Sequence, residues 1–378
     1  MMTAAGIIFS NIHDATVPEL TGRRTMASIP FGGRYRLIDF ALSNMVNSGI
    51  SKVGVITHYN YQSLLDHIGN GKDWDLARRT GGIKILPPFI TAYDNAAAGR
   101  VYSTRLEALM GVMNFIDRCT EDVLVLSDCD VICNVDIAAV MRAHEQSGAD
   151  FTAITATVDT ALQTLDDHSE VPTVDANGRI TDLAEYSGQQ GKVTICADIW
   201  LVNRTYLKRV VTEAIAHGHK SFYKDFILRN LANDKFYAYE YDGFFARVNS
   251  LESYFKCSMR LLDPVNRVNL FYRRNQPIFT KVRNSVPTRY TENAKVSGSM
   301  IADGCVIEGT VENSILFRGV KVGKGTVIKN SILMQDTVTG DNVRLSCVIT
   351  DKNVTVRDGR ELCGCESMPF YIGKGVMV

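Results

Sequence analysis

The stretch VLVLSDCD ends an apolar run, Val123–Ser127, on two acids, Asp128 and Asp130. Carboxylates are common at strand ends, and in open α/β sheets that end is where ligands bind. A second chemical signal is basic. Arg23, Arg24, Arg34 and Arg36 put four guanidinium groups within fourteen residues, and guanidinium forks match phosphate oxygens in pairs. Set against both is the opening GIIFSNIHDATVPEL, Gly6 to Leu20. It starts as the first strand of a nucleotide-binding sheet, after which glycines normally let backbone N–H groups approach phosphate. No glycine lies between Gly6 and Gly22.

Up to about residue 240, short apolar strands alternate with helical stretches. Strands are expected at Val53–Thr57, Val123–Ser127, Phe151–Ala156 and Ile195–Val202, and helices at Leu37–Ser48, Tyr102–Ile116 and Ile137–Ser147. That alternation predicts an α/β domain with a mainly parallel sheet covered on both faces. Ligands of such sheets bind beyond the carboxyl ends of the strands, where Asp128 and Asp130 fall.

From Lys295 the pattern changes. An aliphatic residue returns every five or six positions, at Ile301, Ile307, Val311, Val322, Val327, Ile332, Val338, Val343, Ile349 and Val354. Gly, Asn, Asp, Ser and Thr fill the corners. This period predicts a parallel β-helix; a β-sandwich would space its turns by roughly 8–12 residues. Between the two halves, LESYFKCSMRLLDP and FYRRNQPIFTK read as a helix and an extended connector, with Pro264, Pro277 and Pro287 suited to a linker. The expected division is a domain over 1–249, helix and linker over 250–290, and a β-helix over 291–378.

Forty-one basic residues balance 41 acidic ones, which argues against nucleic acid or an anionic membrane as a partner held by bulk charge. No apolar run approaches the roughly 20 residues of a membrane span, and MMTAAG has no basic n-region of a signal peptide. Nine cysteines at irregular positions, with no CxxC, speak against zinc and for reduced thiols in the cytoplasm.

PFGGRYRLIDFALSNMVNSGISKVGVITHYNYQSLLDHI (Pro30 to Ile68) resembles the bacterial ADP-glucose pyrophosphorylases (glucose 1-phosphate adenylyltransferases), which share FGG-x-x-R-x-IDF-x-LSN-x-x-NSGI. SFYKDFIL (Ser221 to Leu228) is similar to that family's DFGKDIIP, and GCVIEGTVENSILFRGVKV (Gly304 to Val322) to its first β-helix turns. The resemblance implies a Rossmann-like (GT-A-type) nucleotidyltransferase domain with a mixed, mainly parallel sheet, followed by a left-handed hexapeptide-repeat β-helix. It also implies positions for the catalytic parts, and here the chain departs from the pattern. The family's GGxGxRL loop is SNIHDATVPEL. The lysine of its KRAKPAV falls on Met26. The adenine-contacting GTADA is absent from DNAAAGRVYST. In the glucose 1-phosphate motif Glu185 remains, but the lysine becomes Tyr186. Lys224 and Asp225 are further remnants of substrate binding. Of the two aspartates that hold Mg²⁺, the first matches Asp130, with Asp128 as a neighbouring candidate, and the second falls on Arg247. A fixed cation about 4 Å from a divalent ion costs roughly 2 kcal/mol in water and several times that in a cleft. Phosphoryl chemistry depends on loop, lysine and metal for position and charge neutralisation. With three parts missing, the expectation is a degenerate site needing no cofactor and holding no metal.

Arg23, Arg24, Arg34 and Arg36 lie where the family binds anionic regulators such as phosphorylated sugars or nucleotides. Some Gram-positive bacteria pair a catalytic chain with a degenerate one (the GlgD type) in a heterotetramer, and this sequence resembles the degenerate chain. Two expectations compete. One is a non-catalytic regulatory subunit in glycogen synthesis, partnered by a catalytic subunit or by itself. The other is an active, Mg²⁺-dependent adenylyltransferase converting ATP and glucose 1-phosphate to ADP-glucose and pyrophosphate. A β-helix acyltransferase is disfavoured, since no histidine occurs from Ala294 to Val378.

Overall fold

In a computed structural model, which describes residues 2–87, 102–166 and 168–378, the apolar runs of the first half form one seven-stranded sheet. Its strands are β1 (Ala4–Phe9), β2 (Lys52–Ile56), β3 (Gly82–Leu86), β4 (Val123–Asp128), β5 (Phe151–Asp159), β6 (Lys192–Asn203) and β7 (Phe236–Tyr241), in the order β7-β5-β6-β4-β1-β2-β3. Only β6 runs against its neighbours. The sheet is therefore mixed and mainly parallel, and separate apolar clusters cover its two faces. The first strand is kept for its packing. A Cβ on Gly6 would stand 2.3 Å from Met45 Sδ, so glycine lets helix α1 (Leu37–Asn47) lie close to β1. In FGG, Gly32 and Gly33 turn the chain at φ +56° and +84° between the paired Pro30–Phe31 and Tyr35–Arg36.

The expected helix over Tyr102–Ile116 is two helices, Arg105–Gly111 and Met113–Asp117. Pro264 also departs from expectation. It occupies the first turn of a second helix, Pro264–Phe271, capped by Asp263, where a missing N–H is harmless. The preceding helix Leu251–Met259 packs inward: Tyr254 and Phe255 join Phe31, Phe40, Ile315, Ile332 and Ile349 in one apolar cluster shared with the β-helix.

The repeat region forms three parallel five-stranded faces. Val311, Ile328, Leu345 and Leu362 stack in register, one coil apart. Asn313, Asn330, Asn342 and Asn353 turn corners at positive φ, a conformation asparagine tolerates better than most residues. The expected period is right, but its phase slips at two strands. Val327 and Val338 are only half-buried, and Ile328 and Thr339 point inward instead, because side chains alternate with a period of two along a strand. Seven of the nine cysteines are buried free thiols; Cys363 and Cys365 are exposed. Among the described residues, no helix is long and apolar enough to cross a membrane.

Candidate functional site

The carboxyl ends of β1 and β4 converge with a defect in β6. Between Cys196 and Trp200 the register of β6 shifts, and Asp198 sits there at φ +52°. Bulges of this kind re-aim side chains beside functional sites. Asp198 thereby meets Asp128, Asp130 and His13, and one ligand atom from each of the four lies within 4.8 Å of the others.

Two arginines enter this cluster. Arg105 donates to Asp128 Oδ2 through Nε (2.8 Å) and Nη2 (2.6 Å) and reaches Asp198 Oδ2 at 3.2 Å. Arg247 Nη2 lies 2.7 Å from Asp198 Oδ2, and its Nε lies 3.8 Å from Asp130 Oδ2. The Cys196 carbonyl and Ser169 Oγ accept from Arg247 as well, fixing its plane. His13 Nε2 sits 2.7 Å from Asp128 Oδ2. Burial would lower the His13 pKa, but Asp130 and Asp128 outweigh it and hold the ring up at about 9. Burial raises Asp130 to about 6 despite His13 and Arg247, and raises Glu170, which lies against the same arginines, to about 7. Near neutral pH the carboxylates thus face three cations supplied by the chain itself.

This donor set does not fit Mg²⁺. The ion requires near-octahedral oxygen ligands, and here guanidinium groups already hold Asp128 Oδ2 and Asp198 Oδ2. Asp128 Oδ1 and Asp130 Oδ1 are buried without a partner, but a cation drawn to them would stand against Arg105 and Arg247.

The loop that replaces the glycine motif closes over the core. Residues Asp14–Thr16 and Pro18–Thr21 form short helical turns, and Val17 and Leu20 are buried. Met26 is 1 % exposed in the same apolar cluster, and its N–H donates to Asp14 Oδ1 at 2.6 Å. Burial, offset only in part by that bond, lifts Asp14 to about 7.

Of the substrate-binding remnants, Glu185 and Lys224 are exposed, and Asp225 caps its own turn by accepting from the backbone of Lys220 and Ser221. None joins the carboxylate cluster. Most of DNAAAGRVYST lies outside the described residues.

The four N-terminal arginines are divided by the fold. Arg24 is buried, and its Nη2 meets both oxygens of Asp351 in the β-helix at 2.7 and 2.6 Å. It is an interdomain clasp, not an open anion contact. Arg23 is exposed and, among the described residues, reaches only the Lys374 carbonyl. Arg34 and Arg36 line a pocket where the first domain meets the β-helix, together with His67, Lys281, Arg283, Arg318 and Lys352. Sequence reasoning missed the last four cations, which are scattered between residues 281 and 352. It also gave no role to His13, Arg105, Glu170 or Asp198. A lone acid inside the apolar strand ICADIW was the available signal for Asp198.

Residues 17–262 match the nucleotidyl transferase family, and residues 284–366 match the GlmU-like C-terminal hexapeptide family. The chain is 33% identical over 374 residues to the glycogen biosynthesis protein GlgD of Bacillus subtilis, covering 98% of this chain and 96% of that one. It is 35% identical over 314 residues to a glucose-1-phosphate adenylyltransferase of Thermotoga neapolitana (82% and 72% covered). It is also 35% identical over 326 residues to the enzyme of that name from Clostridium botulinum (83% and 80%). A nucleotidyltransferase sheet joined to a left-handed hexapeptide β-helix, matched by relatives over 82% to 98% of the chain, places it in the bacterial glucose-1-phosphate adenylyltransferase family, among its GlgD-type members.

Proposed function

We propose that the chain is a regulatory, catalytically degenerate subunit of ADP-glucose pyrophosphorylase, acting in glycogen biosynthesis on a catalytic partner subunit in the cytoplasm. The observation that carries this reading is Arg247, whose guanidinium lies on Asp198 and beside Asp130 where a divalent ion would need those oxygens. A loop without glycines and a buried Met26 support it. On this reading no cofactor is required. The chain acts by shifting the partner's conformational equilibrium, a coupling typically worth about 1–3 kcal/mol. The pocket of Arg34, Arg36, Arg283 and Arg318 would take an anionic effector, a phosphorylated sugar or nucleotide.

The competing reading, an active adenylyltransferase, draws on the four-donor cluster. ADP-glucose synthesis with Mg²⁺, ATP and glucose 1-phosphate decides between them when run on this chain, on a catalytic homologue and on the co-expressed pair. The expected result is no turnover by this chain alone, and a raised rate or altered effector response in the pair. Substantial turnover alone would overturn the reading.

A further inference from the structure

The pocket between the two halves gathers more cations than acids, and Lys352 lies among them. Arg34 and Arg318 are paired with Asp303 at 3.5 and 3.2 Å. The ammonium of Lys281 is bonded to the Asp66 carbonyl, and Arg36 Nη1 is bonded to Ser63. Among the described residues, no acid pairs with Lys352. Asp351, its neighbour in sequence, is taken by Arg24 on both oxygens and by the Tyr371 hydroxyl at 3.1 Å. Lys352 therefore faces Arg36 and Arg24 from the first domain and Arg283 from the connector, and shares the pocket with Arg318 of the β-helix. His67 lies on the remaining wall, paired with Asp39.

We propose that Lys352 is neutral in the empty pocket and takes a proton from solvent when a tetrahedral dianion of the phosphate or sulfate class binds, so that anion affinity is coupled to pH. The inference rests on the reading of this pocket as an anion site and adds the protonation step to it. A half-buried ammonium among guanidinium groups, offset only by an Asp351 carboxylate already held by Arg24, is unfavourable in its charged form. Burial, then Arg36 and Arg24, depress Lys352 to about 6. A dianion between Lys352 and the arginines reverses the local field and restores the charged form. No bond to the anion is made or broken; one proton moves from buffer to Nζ. His67 is also held neutral by burial and is the alternative proton acceptor.

Calorimetric titration of the full chain with sulfate separates these cases, because sulfate does not titrate near neutral pH. Runs at pH 7.5 in two buffers of different ionisation enthalpy count the protons taken up. The expected result is uptake approaching one proton per sulfate, with affinity level below pH 6 and falling up to about tenfold per unit above it. In Lys352→Met, uptake should vanish while weaker, pH-independent binding persists. Binding without uptake in the wild type would overturn the coupling and leave the anion site standing. Uptake that persists in Lys352→Met would assign the proton to His67 and overturn the proposal. No sulfate binding at all would overturn the anion site itself.

Discussion

Replacing Arg247 by methionine keeps the stem and removes the charge, which makes it the sharpest probe of the carboxylate cluster. Arg247 is 3 % exposed, and Asp130 and Asp198 are equally enclosed. Charge centres about 4 Å apart interact by about 4 kcal/mol at an effective permittivity of roughly 20. Removing one partner of a buried pair costs about 3–5 kcal/mol, because the other charge is left without compensation. Arg247→Met should lower stability by that amount at pH 7.5, read as the shift in urea midpoint multiplied by the denaturant slope. Adding Asp198→Asn to the same chain should recover most of the loss, and the double-mutant cycle gives the coupling. The loss should also shrink at pH 5.5. Asp130 and Glu170 already have raised pKa values near 6 and 7, and protonation relieves the repulsion that the arginine had offset. A loss below about 1 kcal/mol, or one unchanged between the two pH values, would refute the view that Arg247 is the cluster's internal counter-ion.

Three further outcomes are expected. Met26→Lys, which restores the family's residue type, should lower the melting temperature and yield no ADP-glucose synthesis, because position 26 is buried among Val17, Leu20 and Ile29 and an unpaired ammonium there is costly. His13→Gln should flatten the stability profile between pH 7 and 9. The folded-state pKa of His13 is raised from 6.5 to about 9, so its contribution is complete below pH 6.5 and is lost as pH climbs through 9; a profile as steep as the wild type's would contradict this. Arg24→Ala should cost about 3–5 kcal/mol in denaturant unfolding by leaving Asp351 buried without its cation, and Arg24→Ala with Asp351→Ala should recover part of that.

The fold was legible wherever a single local rule governs it. Helix α1 and the helix Ile137–Ser147 follow their apolar period, and β4 and β6 are apolar runs buried on both faces. The β-helix follows from its repeat, although the sequence does not reveal which of two adjacent aliphatic residues points inward, as Val327 and Ile328 illustrate. The cleft was legible in part. Asp130, Met26 and Arg247 stand out because each falls on a position of the family pattern. Asp198 and Arg105 do not, since a β-bulge and a helix start bring them in from distant segments. The cationic pocket was least legible. Arg34 and Arg36 are adjacent to FGG, but Lys281, Arg283, Arg318 and Lys352 meet them only through the stacking of the β-helix on the first domain.

The lost and retained features lie on one continuous segment. His13 bonds Asp128 in the cleft, Asp14 fixes the Met26 N–H, Arg24 clasps Asp351, and Arg36 lines the cationic pocket while its N–H meets Asp39 at the start of α1. The core positions of this segment, Val17, Leu20, Met26 and Ile29, hold it to the first domain, and its paired charges add to the same fold. These charges run from the carboxylate cluster to the interdomain pocket through contacts that are buried at Arg24 and Arg36 and part-buried at His13 and Asp14. On the proposed regulatory reading, this contiguous, charge-paired segment is the route to test for coupling between the pocket and the cleft surface. On that reading, a cleft whose carboxylates are held by Arg105 and Arg247 is still worth keeping in shape.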